Sequence, residues 1–272
     1  MATCSFLLST GRTSTQNIAA IASSAYPEAI VEHEGLGARY RSRMVFRRPR
    51  QFTNVLGSHV YLQRKLISID DALAKGTPYM DVGWPVYAWL PYLVKRYGKQ
   101  IRFAHVVRNP FLVAASLTTH GRFSGKMGRW EKLSMIHPAD RNAKFQGIFE
   151  DQDEISAFEH NLFHWLELNT FMAEQHEREG FVGLFRFEDL YVDSAKKLTS
   201  LLEGLMGSGD FDMQQSPVDR VQKKLPAEIK KPNPRLMDEV TKAAIGLGYS
   251  EKELTDVMDW DLLNKRYSKV RL

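Results

Sequence analysis

The chain has a single cysteine, Cys4, among 272 residues, so no internal disulfide can form. That scarcity fits a reducing setting, and a cytoplasmic location is expected. No stretch approaches the ~18 consecutive apolar residues of a membrane span, so no membrane partner is expected. No positively charged segment precedes the short apolar run at the N-terminus, and no signal peptide is expected. Internal repeats and low-complexity tracts are absent, which excludes solenoids and compositionally biased linkers. The phosphate-loop pattern G-x-x-x-x-G-K-[ST] is missing, which counts against an ATPase or a GTPase. The H-E-x-x-H pattern is missing too. His160 and His164 are spaced i, i+4, but Glu159 precedes His160 and no third ligand is in view. They read as a polar helix face, and no metal site is expected.

What is present is ordinary for a globular protein: 43% hydrophobic residues, 25% charged, and a formal net charge of +5. A mildly basic balance suits nucleotides or acidic substrates, though net charge bears on association and not on fold. Apolar strands alternate with helical periodicity along the chain. Strands are expected at Cys4–Leu8, 29–32, Tyr79–Val82, Ile101–Val107 and Phe181–Arg186. Helices are expected at 15–25, 52–66, 85–97, 110–118, 155–173 and 188–206. Shorter helices follow at 237–247 and 251–258, after a loop over 217–234. This alternation predicts an α/β fold with a mostly parallel sheet of about five strands covered on both faces. A single domain is expected over residues 1–272. Ligands of such sheets bind beyond the carboxyl ends of the strands.

The turn after the first strand, Ser9–Thr15, reads STGRTST. Small residues there leave helix N–H groups unpaired and pointing outward. With the helix dipole they form an anion site, and the Arg12 guanidinium adds a fork of donors suited to phosphate or sulfate oxygens. Thr13, Ser14 and Thr15 add hydroxyls. A second strand-to-helix junction carries Arg108, Asn109, Pro110 and Ser116 in VVRNPFLVAAS. It places another arginine at a strand end beside a helix start.

Together these two elements resemble sulfotransferases that use 3′-phosphoadenosine-5′-phosphosulfate (PAPS). In that family a G-x-[KR]-S-G-T-T loop grips the 5′-phosphosulfate, and an R-[ND]-P-x5-S element holds the 3′-phosphate. Arg12, Thr13, Ser14, Thr15 and Gln16 fall on the first, and Arg108, Asn109, Pro110 and Ser116 match the second. Ser14 replaces the family's glycine and Gln16 its second threonine. A left-handed Ser14 would strain the loop. FRFEDL at 185–190 resembles the family's strand-end [YF]-E-D-L, whose aromatic, here Phe187, lies near the adenine. WLELN at 165–169 resembles a helix of bacterial members. The resemblance covers roughly residues 4–207. It implies a P-loop NTPase-like three-layer fold, PAPS as co-substrate, 3′-phosphoadenosine-5′-phosphate (PAP) as product, and a hydroxyl-bearing acceptor. No nucleic-acid partner is expected.

Sulfuryl transfer to a hydroxyl needs a general base and a group that faces charge developing on the leaving phosphate. The second role falls to Arg12. Glycan-type and protein-tyrosine members carry a glutamate just past the second strand. Glu34 falls there, 22 positions after Arg12, in a His-Glu-Gly similar to a common His-Glu-Pro. Glu32 and Asp81 are the alternatives. Aryl-type members place a catalytic histidine where this chain has Gly83, which favours the glutamate branch. His59 reads as a helix residue, and Glu188 and Asp189 as capping residues at a helix start. Residues 120–153 show no clear periodicity, and Gly121–Leu133 reads as an acceptor lid. The basic tail from Asn264 reads as a solvated terminus. Two rival readings stand beside the transferase: a small-molecule kinase with a degenerate phosphate loop, and a non-catalytic nucleotide-binding homologue.

Overall fold

The computed structural model describes residues 2–124, 128–150, 154–211 and 229–268. The described residues up to 107 and from 172 to 211 form one compact unit, and those from 108 to 171 and from 229 to 268 form another.

The first unit is built on five strands: β1 (Cys4–Leu8), β2 (Ile30–His33), β3 (Tyr79–Val82), β4 (Ile101–Val107) and β5 (Phe181–Arg186). All are parallel, in the order β2-β3-β1-β4-β5. The sequence reading of an α/β fold with about five parallel strands holds. Central strands buried on both faces need continuous apolar runs, and β1, CSFLL, is buried throughout. One face packs Leu7, Met80, Val82, Ala104 and Val106 against α1 (Thr15–Ala25) and the helix Lys196–Met206. The strand order reverses at β1, which places the loop after it at the topological switch point of the sheet.

Three expected helices differ in detail. The helix expected over 52–66 is two, Pro49–Ser58 and Val60–Ala74. His59 sits between them in non-helical backbone and caps the second, its Nδ1 accepting from Leu62 N at 3.3 Å. The helix expected over 85–97 is a 3₁₀ segment, Trp84–Trp89, followed by the α-helix Leu90–Tyr97. The helix expected over 188–206 is broken. Asp193, Ser194 and Ala195 all have positive φ, so the regular helix starts only at Lys196. Glu188 and Asp189 lie instead in a 3₁₀ turn, Phe187–Asp189, where Asp189 pairs with Arg186.

In the second unit α2 (Pro110–Thr119) and α3 (Ala157–Ala173) are the principal helices. α3 is buried on its polar residues as well as its apolar ones. Asn161, His164 and Glu167 are all at most 1% exposed. Asn161 Nδ2 donates to Arg122 O, Ile136 N donates to His164 Nδ1, and Phe145 N donates to Glu167 Oε1. Arg122, Ile136 and Phe145 of the connection between α2 and α3 are thus tied to buried side chains of α3. His164 is a bonded interior residue and not part of a solvated polar face. His160 stacks on Phe123 and meets His137 in a tilted contact, ring centroids 4.5 Å apart. The C-terminal stretch is also less open than its charge implies. Trp260–Ser268 is helical, Leu263 and Tyr267 are buried, and Asn264 bonds the Ile229 backbone. The expected loop segment 217–228, Lys126, and the last four residues of the basic tail lie outside the described residues. Among the described residues no helix is long and apolar enough to cross a membrane.

Candidate functional site

The Ser9–Ser14 loop links β1 to α1. Ser9 is fully buried and its Oγ accepts from Gly11 N at 3.1 Å, which folds the turn back on itself. Gly11, Arg12 and Ser14 have φ of 78°, 61° and 55°. The left-handed region is open to glycine but costs a side-chain-bearing residue roughly 1–2 kcal/mol. The strain expected of Ser14 is therefore present, and Arg12 shares it. A Cβ at Gly11 would also be tight, 3.3 Å from the Trp84 ring.

Ser14 is the residue before the first helical turn, and its side chain does not cap it. Thr10 and Thr13 are at most 2% exposed, and neither hydroxyl has a hydrogen-bond partner. Buried hydroxyls are ordinarily bonded. A turn with two unpartnered buried hydroxyls and an uncapped helix start is a cradle for an oxygen-rich anion. Thr15, 7% exposed, opens α1, and its Oγ1 lies 3.0 Å from His33 Nε2. Gln16 is exposed on the same turn, so unlike its neighbours it is not enclosed. Arg12 is half-buried.

The three candidate carboxylates occupy different surroundings. Asp81 on β3 is 1% exposed, and its two oxygens accept from Gly35 N at 2.9 Å and Leu36 N at 2.8 Å. Burial pushes its carboxyl up to about 7, against those two backbone donors. It braces the segment after β2. Glu32 is bonded to Lys65 and to the Tyr79 hydroxyl, the latter at 2.7 Å. Glu34 sits just past β2 with φ of 55°, its N–H donating to Val82 O at 3.2 Å. Its side chain is 23% exposed and its Oε1 lies 4.0 Å from His33 Nε2. Burial lowers the His33 pKa below the ordinary histidine value, which favours the neutral ring. One histidine ring nitrogen thus bonds Thr15 and lies 4.0 Å from Glu34 Oε1, beyond hydrogen-bond reach.

Phe187 follows β5 and packs partly against the α1 face of the sheet. Its ring meets Tyr191 edge-on at 6.1 Å. The Tyr191 hydroxyl accepts from Asn17 Nδ2 at 3.2 Å and also bonds the Ser14 side chain. Phe187 is therefore two contacts from the loop.

Arg108 and Ser116 belong to the second unit. Asn109 caps α2, accepting from Phe111 N at 3.0 Å and Leu112 N at 3.3 Å, with Pro110 at the first helical position. Trp165 Nε1 donates to Arg108 O at 3.0 Å. That bond gives the buried tryptophan of WLELN a structural task beside the Arg-Asn-Pro turn. Ser116 lies on α2 and is 5% exposed.

Sequence reading missed three side chains that shape the first unit's loop: His33, Trp84 and Tyr191. His33 stood in the quoted His-Glu-Gly, but its contact with Thr15 depends on β2 and α1 packing together. Trp84 directly follows Gly83, and an aromatic after a strand-end glycine is a signal that could have been used. Tyr191 carried none, since its partners are far away in sequence.

No protein-family model matches the sequence, and no curated protein matches it. Among solved structures the chain is similar to a sulfotransferase domain from the curacin biosynthetic pathway, with 14% identity and a TM-score of 0.49. The likeness covers 92% of this chain and 99% of that domain.

Proposed function

We propose that this chain transfers a sulfuryl group from PAPS to an acceptor hydroxyl and releases PAP. The observation that carries the reading is the Ser9–Thr15 loop: left-handed Arg12 and Ser14, an uncapped helix start, and the unpartnered buried hydroxyls of Thr10 and Thr13. Strain of this kind is kept where the loop's shape has a use. The motif resemblance at Arg12–Gln16, at Arg108–Ser116 and at Phe187 names the anion as a phosphosulfate.

In this reading Glu34 accepts the acceptor's proton as its oxygen attacks sulfur, and the bond from sulfur to the bridging phosphate oxygen breaks. Arg12 and the loop N–H groups face the charge that grows on that phosphate. Thr13, Ser14, Thr15 and Gln16 belong to the loop that grips the 5′ end. Arg108 and Ser116 are assigned the 3′-phosphate, and Phe187 the adenine. The resemblance gives the base role to Glu34; Asp81 accepts from two backbone donors, and Glu32 bonds Lys65 and Tyr79.

Thermal shift with PAP, AMP, ADP and ATP with Mg²⁺ tests the reading without knowledge of the acceptor. Ligand at about 100 times its Kd adds ~2.7 kcal/mol of stability. PAP is expected to raise the melting temperature clearly, with AMP and ADP doing little at equal concentration. Stronger stabilisation by ATP with Mg²⁺ would replace the transferase by the kinase. A screen of hydroxyl acceptors with labelled PAPS then separates an enzyme from a binding protein.

A further inference from the structure

His33 ends β2 with one ring nitrogen between two groups of different function. Nε2 is 3.0 Å from Thr15 Oγ1 and 4.0 Å from Glu34 Oε1. A neutral imidazole carries one N–H, and which nitrogen holds it is set by its neighbours. The carboxylate on the Nε2 side favours a proton there. A threonine hydroxyl has a single proton to give. If Nε2 were bare, Thr15 would spend that proton on His33. With Nε2 protonated, Thr15 accepts from the ring and its own proton is free to turn toward the loop.

We propose that His33 is a positioning residue whose Nε2–H donates to Thr15 Oγ1, so that the Thr15 hydroxyl proton points at an anion seated on the Ser9–Thr15 loop. The inference rests on the donor reading of that loop. It makes the His-Glu pair a joint between two halves of the chemistry: Glu34 serves the acceptor, and His33 serves the donor. Burial of the ring favours its neutral form, which can act through one tautomer.

Calorimetric titration with PAP tests it in wild type, Thr15→Val, His33→Phe, the double variant and His33→Gln. Each single apolar variant is expected to weaken PAP roughly fivefold, the size of one net hydrogen bond. The double variant is expected to be no worse than either single, because both remove the same proton. His33→Gln, whose amide nitrogen reaches the Nε2 position, is expected to recover most of the loss. Melting temperatures without ligand give the stability of each variant separately. Losses that multiply in the double variant, or a His33→Gln no better than His33→Phe, would reduce His33 to a strand-end residue. If wild type itself does not bind PAP, the donor reading falls, and the inference falls with it.

Discussion

Glu34 and Gly83 exclude each other's side chains. A Cβ built on Gly83 would lie 2.7 Å from Glu34 Cγ and 2.9 Å from its Cα. The glutamate therefore fills the space that a residue at position 83 would need. With this backbone, any side chain at position 83 would displace Glu34.

Gly83→Ala is accordingly expected to lower turnover at least tenfold, with PAP affinity falling by no more than the roughly fivefold of the His33 variants. Its φ of 178° is open to any residue, so the penalty is contact and not backbone strain. Steady-state kinetics beside PAP titration check this, and unchanged turnover would show that Glu34 can shift without consequence.

Glu34→Gln removes only the proton acceptor and keeps the side chain's shape. Turnover is expected to fall by roughly 10²–10⁴-fold with the fold retained and PAP affinity reduced by no more than the roughly fivefold of the His33 variants. Near-normal turnover would pass the role to Glu32 or Asp81.

Asp81→Asn tests the opposite role. An amide has one acceptor oxygen for two backbone donors, and its NH₂ faces one of them. A loss of about 1–3 kcal/mol in stability is expected, read from denaturant midpoints. Catalysis by the folded fraction should be reduced only as far as the Gly35–Leu36 segment moves Glu34.

Arg108→Ala should remove most of the preference for PAP over AMP while leaving the residual binding they share. A charge-assisted bond of roughly 1.5–3 kcal/mol makes that preference at least tenfold in wild type. Titration of both nucleotides checks it, and a preserved preference would take the 3′-phosphate away from Arg108.

Acid stability should depend on His160. Burial, then the neighbouring His137, lowers its pKa to about 4 from an ordinary 6.5. The unfolded chain binds that proton more readily, so this contribution is present above about pH 6.5 and is lost as pH falls through about 4. His160→Phe keeps a ring against Phe123 and removes the titration. Its melting temperature is expected to fall less between pH 6.5 and 4 than that of wild type. Parallel curves for the two proteins would contradict this.

Much of this protein was legible in its residues. β1, β3 and β4 are buried apolar runs, and α1 repeats Ile18, Ile21, Ala22 and Ala25 on the face that is buried. Local periodicity and strand burial are short-range properties, so they survive in the sequence. The Ser14 substitution for glycine also announced its own strain. What the sequence left open was decided by pairings distant along the chain. It put Glu34 first by position, with Glu32 and Asp81 as alternatives, but said nothing of what each one touches. Only the register that sets Glu32 opposite Asp81, and the turn that brings Gly35 N and Leu36 N onto Asp81, gave the three carboxylates different surroundings. The break at Asp193–Ala195 and the cap at His59 lie in backbone conformations that periodicity does not report. His33 on Thr15, and Tyr191 on Asn17, join residues 18 and 174 positions apart. Contacts at such separations exist only once the sheet has closed, because no local preference of either residue specifies its partner.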